Sequence, residues 1–330
     1  MNTTQYSSLI YYRLIALWVM GEVMLGGFLH AMHIPITGLV AGTVSVTCIS
    51  LIAYYIHGRG QILKAVIIVA IFKMMLSPMA PPMAYFALFF QVFCGEIFFW
   101  RKNMYRISCL LLAVISMMES AMQRMIILTI VYGTNGWKAL NIFISEFSGS
   151  KTLVNYSLYI AIIYLLVHLA AGLVVGWWIG TIPSRAGRWV FNDEEKNVAG
   201  PLLTAVVKKR SWGRKAIYIT WIFLGIIYLQ SFLPGKTWMP AQLPLQILLR
   251  SVLIILSWYF LFSPLISFLI KKWLAGKKEN VGRDVNEVLL ILPSMQQIVR
   301  SSWKAGVGKK PLSRLEIFSR GILGGLLHEK

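Results

Sequence analysis

A succession of apolar runs, most of them about as long as a bilayer is thick, constrains this chain more than any other feature. Hydrocarbon offers no partner to backbone N–H and C=O groups, so such runs fold as helices that satisfy those groups internally. The runs fall at Leu14 to His33, Pro35 to Ile56, Ile62 to Leu76, Met83 to Trp100, Tyr105 to Val131, Leu158 to Ile179, Ala216 to Phe232 and Leu245 to Ile270. The expected fold is an all-α polytopic membrane protein with about eight transmembrane helices. Lys and Arg cluster in alternate loops, at Arg59 and Lys64, Arg101 to Arg106, Arg185 to Lys215 and Lys271 onward. The intervening loops keep only Lys138, Lys151 and Lys236, which places both termini in the cytoplasm.

Composition excludes the soluble classes. With 57% hydrophobic residues against 13% charged, the formal charge of +20 follows from topology and does not imply nucleic acid. Cys48, Cys94 and Cys109 lie in apolar runs without C-x-x-C spacing and read as packing residues. No P-loop, metal-ligating helix or nucleophile–base set is present: Gly235-Lys236-Thr237 lacks the preceding glycine, and His30 with His33 stands without a carboxylate cluster. Metal, catalytic residues and a cofactor bound by this chain are therefore not expected. The segments divide as a six-helix domain over 1–182, a basic linker over 183–215, a two-helix segment over 216–272 and a tail over 273–330.

Ionisable residues within spans are costly, about 2.5 to 3.5 kcal/mol each at mid-bilayer, and need a partner or a task. Glu22, Glu96 and Glu119 are the buried acids expected here. His30, His33, Lys73, Gln123 and Arg124 gather in the outer half of the six-helix domain, where they would suit a small polar or anionic ligand. A buried lock between Glu22 or Glu119 and Lys73 or Arg124 is an equal reading, and both hold together without conflict. Gly27 with Ala31 and Gly38 with Gly42 are small residues four apart, a spacing that lets helices pack closely. The outer stretch from Tyr132 to Asn155 is expected to carry an interfacial helix bearing Trp137, Leu140, Phe143 and Phe147.

The tail predicts two amphipathic helices. One begins near Leu292-Pro293, with Leu292, Met295, Val299 and Trp303 on one face and Gln296, Gln297, Arg300 and Lys304 opposite. After the Gly306 to Pro311 break, a second carries Leu315, Phe318, Ile322 and Leu326 against Ser313, Glu316 and Arg320. A basic amphipathic helix at a membrane commonly lies on anionic lipid, and Glu316 with Arg320 is an ordinary i,i+4 pair.

Two helices, each with an arginine between other residues as in Val299-Arg300-Ser301 and Ser319-Arg320-Gly321, resemble the coupling helices of the T component of energy-coupling factor (ECF) transporters. The six-helix half, with its small-residue pairs and the run Lys73 to Tyr85, resembles the S component of the same family. The resemblance implies a bacterial inner-membrane subunit that captures a small vitamin-like or anionic solute. It further implies docking of Arg300 and Arg320 on ABC-type ATPases, with ATP held in those partners and not in this chain. Membrane lipids and further membrane subunits complete the expected partners. A two-span T-like half, Val and Ser before the arginines, and fusion of the halves depart from the family pattern. Two other classes fit the sequence: a scaffold or adaptor subunit without a ligand, and an intramembrane lipid enzyme using Glu22, His30, His33 or Glu119 as acid or base.

Overall fold

The computed structural model describes residues 3–25, 37–76, 82–100, 104–148, 155–186 and 278–327, together with isolated residues at 222, 252–253, 256–257, 264–265 and 268. Every regular element among them is helical: α1 (Thr3–Met20), a π-helical turn (Gly21–Leu25), α2 (Thr37–Tyr55), α3 (Gln61–Leu76), α4 (Pro82–Phe98), α5 (Tyr105–Ser148), α6 (Tyr156–Ala186), α7 (Lys278–Ala305) and α8 (Pro311–Leu327). Three stretches are long and apolar enough to cross a membrane, Thr37–Tyr55, Tyr105–Thr134 and Tyr156–Ala186, and Met83–Phe98 is a shorter apolar helix. Together they suggest a multi-pass membrane protein. The spans expected at Ala216 to Phe232 and Leu245 to Ile270, and the linker over 183–215 beyond Ala186, lie outside the described residues apart from the isolated positions.

The chain forms two compact units. One comprises Met1–Ser120, His168–Pro201 and Leu274–Lys330; the other comprises Ala121–Val167 and Leu202–Trp273. The boundaries fall within α5 and α6. The C-terminal tail joins the first unit.

In the first unit, α1 packs on α2, α3 and α7, while α4 packs on α2 and α3. Its core is continuous: Leu14, Ile15 and Trp18 of α1, Ile49 and Ile52 of α2, Val66 and Val69 of α3 and Leu112 of α5 are all buried. Cys48, Cys94 and Cys109 are free thiols within this packing. The sequence expects such side chains inside because removing a Leu- or Ile-sized group from a packed interior costs about 2 to 5 kcal/mol.

Glycines set how closely three helices approach. On α6, Gly172 and Gly176 face α5 so tightly that an added Cβ would lie 2.8 Å from the Val114 Cα and 2.6 Å from the Leu110 Cα. Gly180 continues the stripe against Arg106. Gly38 and Gly42 of α2 face Ser120 and Met117 of α5. Gly27 and Ala31 lie outside the described residues.

In the second unit, α5 runs on to Ser148, past the end expected at Val131. Gly133 breaks its regularity with a left-handed φ of 69°, a conformation open to glycine, and helix resumes beyond it. The helix expected around Trp137 to Phe147 is therefore present. The Trp137 indole donates to the Thr129 hydroxyl at 3.0 Å across the break, and Phe143 and Phe147 are exposed.

Candidate functional site

The α7–α8 hairpin forms the site's outer surface. The helix expected to start near Leu292-Pro293 starts instead at Lys278, and Pro293 lies inside it. The reason is that the buried stripe extends upstream: Asp284, Val288, Leu292 and Met295 recur at helical spacing and are all buried. Pro293 faces solvent, where the bond it removes is easily replaced by water. Pro311 opens α8, where a missing N–H costs nothing.

The apolar face of α8 is narrower than the sequence suggests. Ile322, Leu323, Leu326 and Leu327 are buried, but Leu315 is exposed, as is Trp303 of α7. Trp303 serves the hairpin itself: its ring meets Phe318 edge-on at 5.4 Å and carries the Arg314 guanidinium at 4.1 Å. The helices come closest at Ser302 and Gly321, where an added Cβ would lie 2.7 Å from the Ser302 Oγ. Arg300 and Arg320 stand two residues and one residue from that crossing, and both are exposed. Arg320 pairs with Glu316, as the i,i+4 spacing predicts.

The inner surface of the hairpin seats on α1 and α3. Asp284 is only 1% exposed and accepts a hydrogen bond from the Tyr12 hydroxyl at 2.7 Å. Its other carboxylate oxygen lies 2.8 Å from the Lys64 ammonium. Arg13 donates to the Leu326 carbonyl at 3.3 Å. Val288, Leu292, Met295, Leu323 and Leu326 share one hydrophobic cluster with Ile10, Tyr11, Leu14 and Ile15. The hairpin is thus part of the bundle's core, anchored by a carboxylate that sequence reasoning passed over. Its signal was an acid on the apolar stripe of an amphipathic helix, where a charge requires a partner.

Deeper in the same unit lies a polar network. The Glu22 carboxylate, on the π-helical turn, pairs with Lys73 of α3 at 2.5 Å and accepts from the Ser45 hydroxyl of α2 at 2.6 Å. Trp18 donates to Ser45 at 2.9 Å. Both charged side chains are buried, and the Lys73 ammonium also lies 5.8 Å from the Tyr85 ring. The lock reading for Glu22 and Lys73 holds: this lysine is neutralised within the chain. A one-residue-wider helical turn re-aims a side chain, and such turns are frequent at functional positions.

Glu96 is half-buried rather than buried, near the start of α3, where its carboxylate accepts from Gly60 N at 3.4 Å and Leu63 N at 3.3 Å. It answers the unpaired N–H groups of that helix start. Beside it a cavity of about 390 Å³ is lined by Arg59, Gln61, Glu96 and Trp100 among others, with the Arg59 guanidinium 4.2 Å from the Trp100 ring centre. Glu119 belongs to the first unit, while Gln123 and Arg124 belong to the second. His30 and His33 lie outside the described residues.

No protein-family model, no curated protein and no solved structure matches the chain.

Proposed function

We propose that this chain is the membrane subunit of an ECF-like ABC importer of a bacterial inner membrane, with about eight spans and both termini in the cytoplasm. It captures a small vitamin-like or anionic solute from outside and binds no cofactor itself. ATP is hydrolysed by separate ABC-type ATPases that hold the α7–α8 hairpin through Arg300 and Arg320.

The supporting observation is the two-sided character of that hairpin. Its inner face is fixed to α1 and α3 through Asp284, Tyr12 and Lys64. Its outer face leaves Arg300, Arg320, Trp303 and Leu315 exposed. Exposed arginine and tryptophan beside apolar side chains are the residue types that anchor protein interfaces. An element gripped on one side and open on the other passes displacement from a partner into the bundle. Nucleotide-dependent affinity of the ATPases for two hairpin positions would supply the differential binding that a conformational switch requires.

A scaffold without a ligand is the second reading. It is favoured by the Glu22–Lys73 pair, which consumes the lysine otherwise available to an anionic solute.

The test is affinity purification in mild detergent from the native host, wild type against Arg300→Ala plus Arg320→Ala, with mass spectrometry of retained proteins. ABC-type ATPases retained by wild type and lost from the double variant support the importer. Their absence from both samples leaves the scaffold reading in place.

A further inference from the structure

The Glu22 carboxylate has two partners, but a second set of oxygens in the same unit has none. Among the described residues, Gln91 Oε1, Ser116 Oγ and both carboxylate oxygens of Glu119 are buried without a hydrogen-bond donor. Gln91 is 4% exposed and Ser116 1% exposed, so water does not serve them in bulk. Each is an acceptor left short, and buried acceptors are ordinarily satisfied.

Helix register gathers them. The antiparallel α4–α5 pair is fixed by the Ser108 hydroxyl on the Phe98 carbonyl at 2.7 Å and by Gly95, whose added Cβ would lie 3.9 Å from Leu112. One helical turn further along, Gln91 stands opposite Ser116, and Glu119 follows three residues later on the same stripe of α5. Gly38 and Gly42 of α2 close the other side against Ser120 and Met117. A carboxylate, an amide carbonyl and a hydroxyl thus fall on facing stripes of α4 and α5, each without a hydrogen-bond partner.

We infer that Gln91, Ser116 and Glu119 form a binding site for one small monovalent cation, a proton or an alkali-metal ion. Hard oxygen donors select such ions over softer metals, and the one carboxylate sets the charge of the occupant at +1. Lys73 does not supply that charge, because Glu22 holds it at 2.5 Å. The titratable groups on the packed elements are Cys48, Tyr54 and Tyr55 on α2, Tyr85, Cys94 and Glu96 on α4, the buried His168 on α6, and the Glu22–Lys73 pair; Arg124 lies on a different face of α5. The site is built from α4 and α5 and needs no ATPase partner to form.

The experiment uses the purified full-length chain alone in detergent, so its outcome does not depend on ATPase docking. Thermal unfolding is followed in NaCl, KCl or choline chloride at equal ionic strength, and in choline chloride as pH is lowered from about 8 to about 5. Wild type, Glu119→Gln and Glu96→Gln are compared. The site predicts a rise in melting temperature with Na⁺ or K⁺ over choline if the occupant is an alkali ion, or with falling pH alone if it is a proton. Glu119→Gln loses that response and Glu96→Gln keeps it. An identical response in Glu119→Gln, or none in wild type, overturns the proposal. Should Glu119→Gln fail to fold, Ser116→Ala is read in the same way: a weakened cation or proton response supports the site, and an unchanged one contradicts it.

Discussion

The Lys64 ammonium lies 2.8 Å from the Asp284 carboxylate, joining the first turn of α3 to the first half of α7 across most of the chain's length. The two ends of this pair differ in environment: Lys64 is 44% exposed, while Asp284 is 1% exposed and also holds the Tyr12 hydroxyl. Loss of the lysine therefore leaves a carboxylate with a remaining donor. Loss of the aspartate leaves the half-buried Tyr12 hydroxyl without this acceptor and removes both contacts.

Asp284→Ala is expected to loosen the hairpin by about 1 to 3 kcal/mol, the cost of charge-assisted bonds to a buried group. Lys64→Met, at a largely solvated position, should cost below about 1 kcal/mol. Limited proteolysis in detergent reads both, with cleavage in the Gly306 to Lys310 turn expected to accelerate in the aspartate variant. Equal protection of the two variants would show that apolar packing alone seats the hairpin.

The Glu22–Lys73 pair should behave as a buried lock. Glu22→Gln or Lys73→Met alone is expected to destabilise by roughly 3 to 5 kcal/mol, because each strands a buried charge. The double variant, with both charges gone, should recover most of that loss. A double-mutant cycle of melting temperatures checks this; additive losses would mean that the residues act separately.

Glycines at two sites are expected to respond in opposite directions. At Gly176 a Cβ would lie 2.6 Å from the Leu110 Cα, so Gly176→Ala must spread α5 from α6. Gly282 of α7 has open space around it, and Gly282→Ala should stabilise by up to about 1 kcal/mol through helix propensity. Thermal unfolding of the two variants decides whether the contacts or the propensities dominate.

The sequence already carried the long apolar helices, the break between α7 and α8 and the packing role of the cysteines, since each rests on local pattern. The Glu22–Lys73 lock was legible as one of two readings, because an intramembrane charge calls for a partner without naming it. Asp284 was not legible. Its hydrogen-bonding partner Tyr12 lies 272 residues away, and sequence spacing says nothing about contacts at that range. Pro293 misled for a physical reason: a proline suits a helix start, yet an exposed interior proline is tolerated when a buried stripe runs through it. Glycines four apart occur on several helices, so the tight stripe on α6 could not be told from the others without its neighbours on α5.

The most direct test of the account is contact at the hairpin's outer face. A photo-crosslinking amino acid is placed at Leu315, which is exposed beside neither anchored contact, and irradiated in membranes of the native host. The account predicts a crosslinked ABC-type ATPase, diminished when Arg300 and Arg320 are both changed to alanine. Crosslinks to lipid alone, unchanged by those substitutions, would contradict it and return the hairpin to the role of a membrane-surface element.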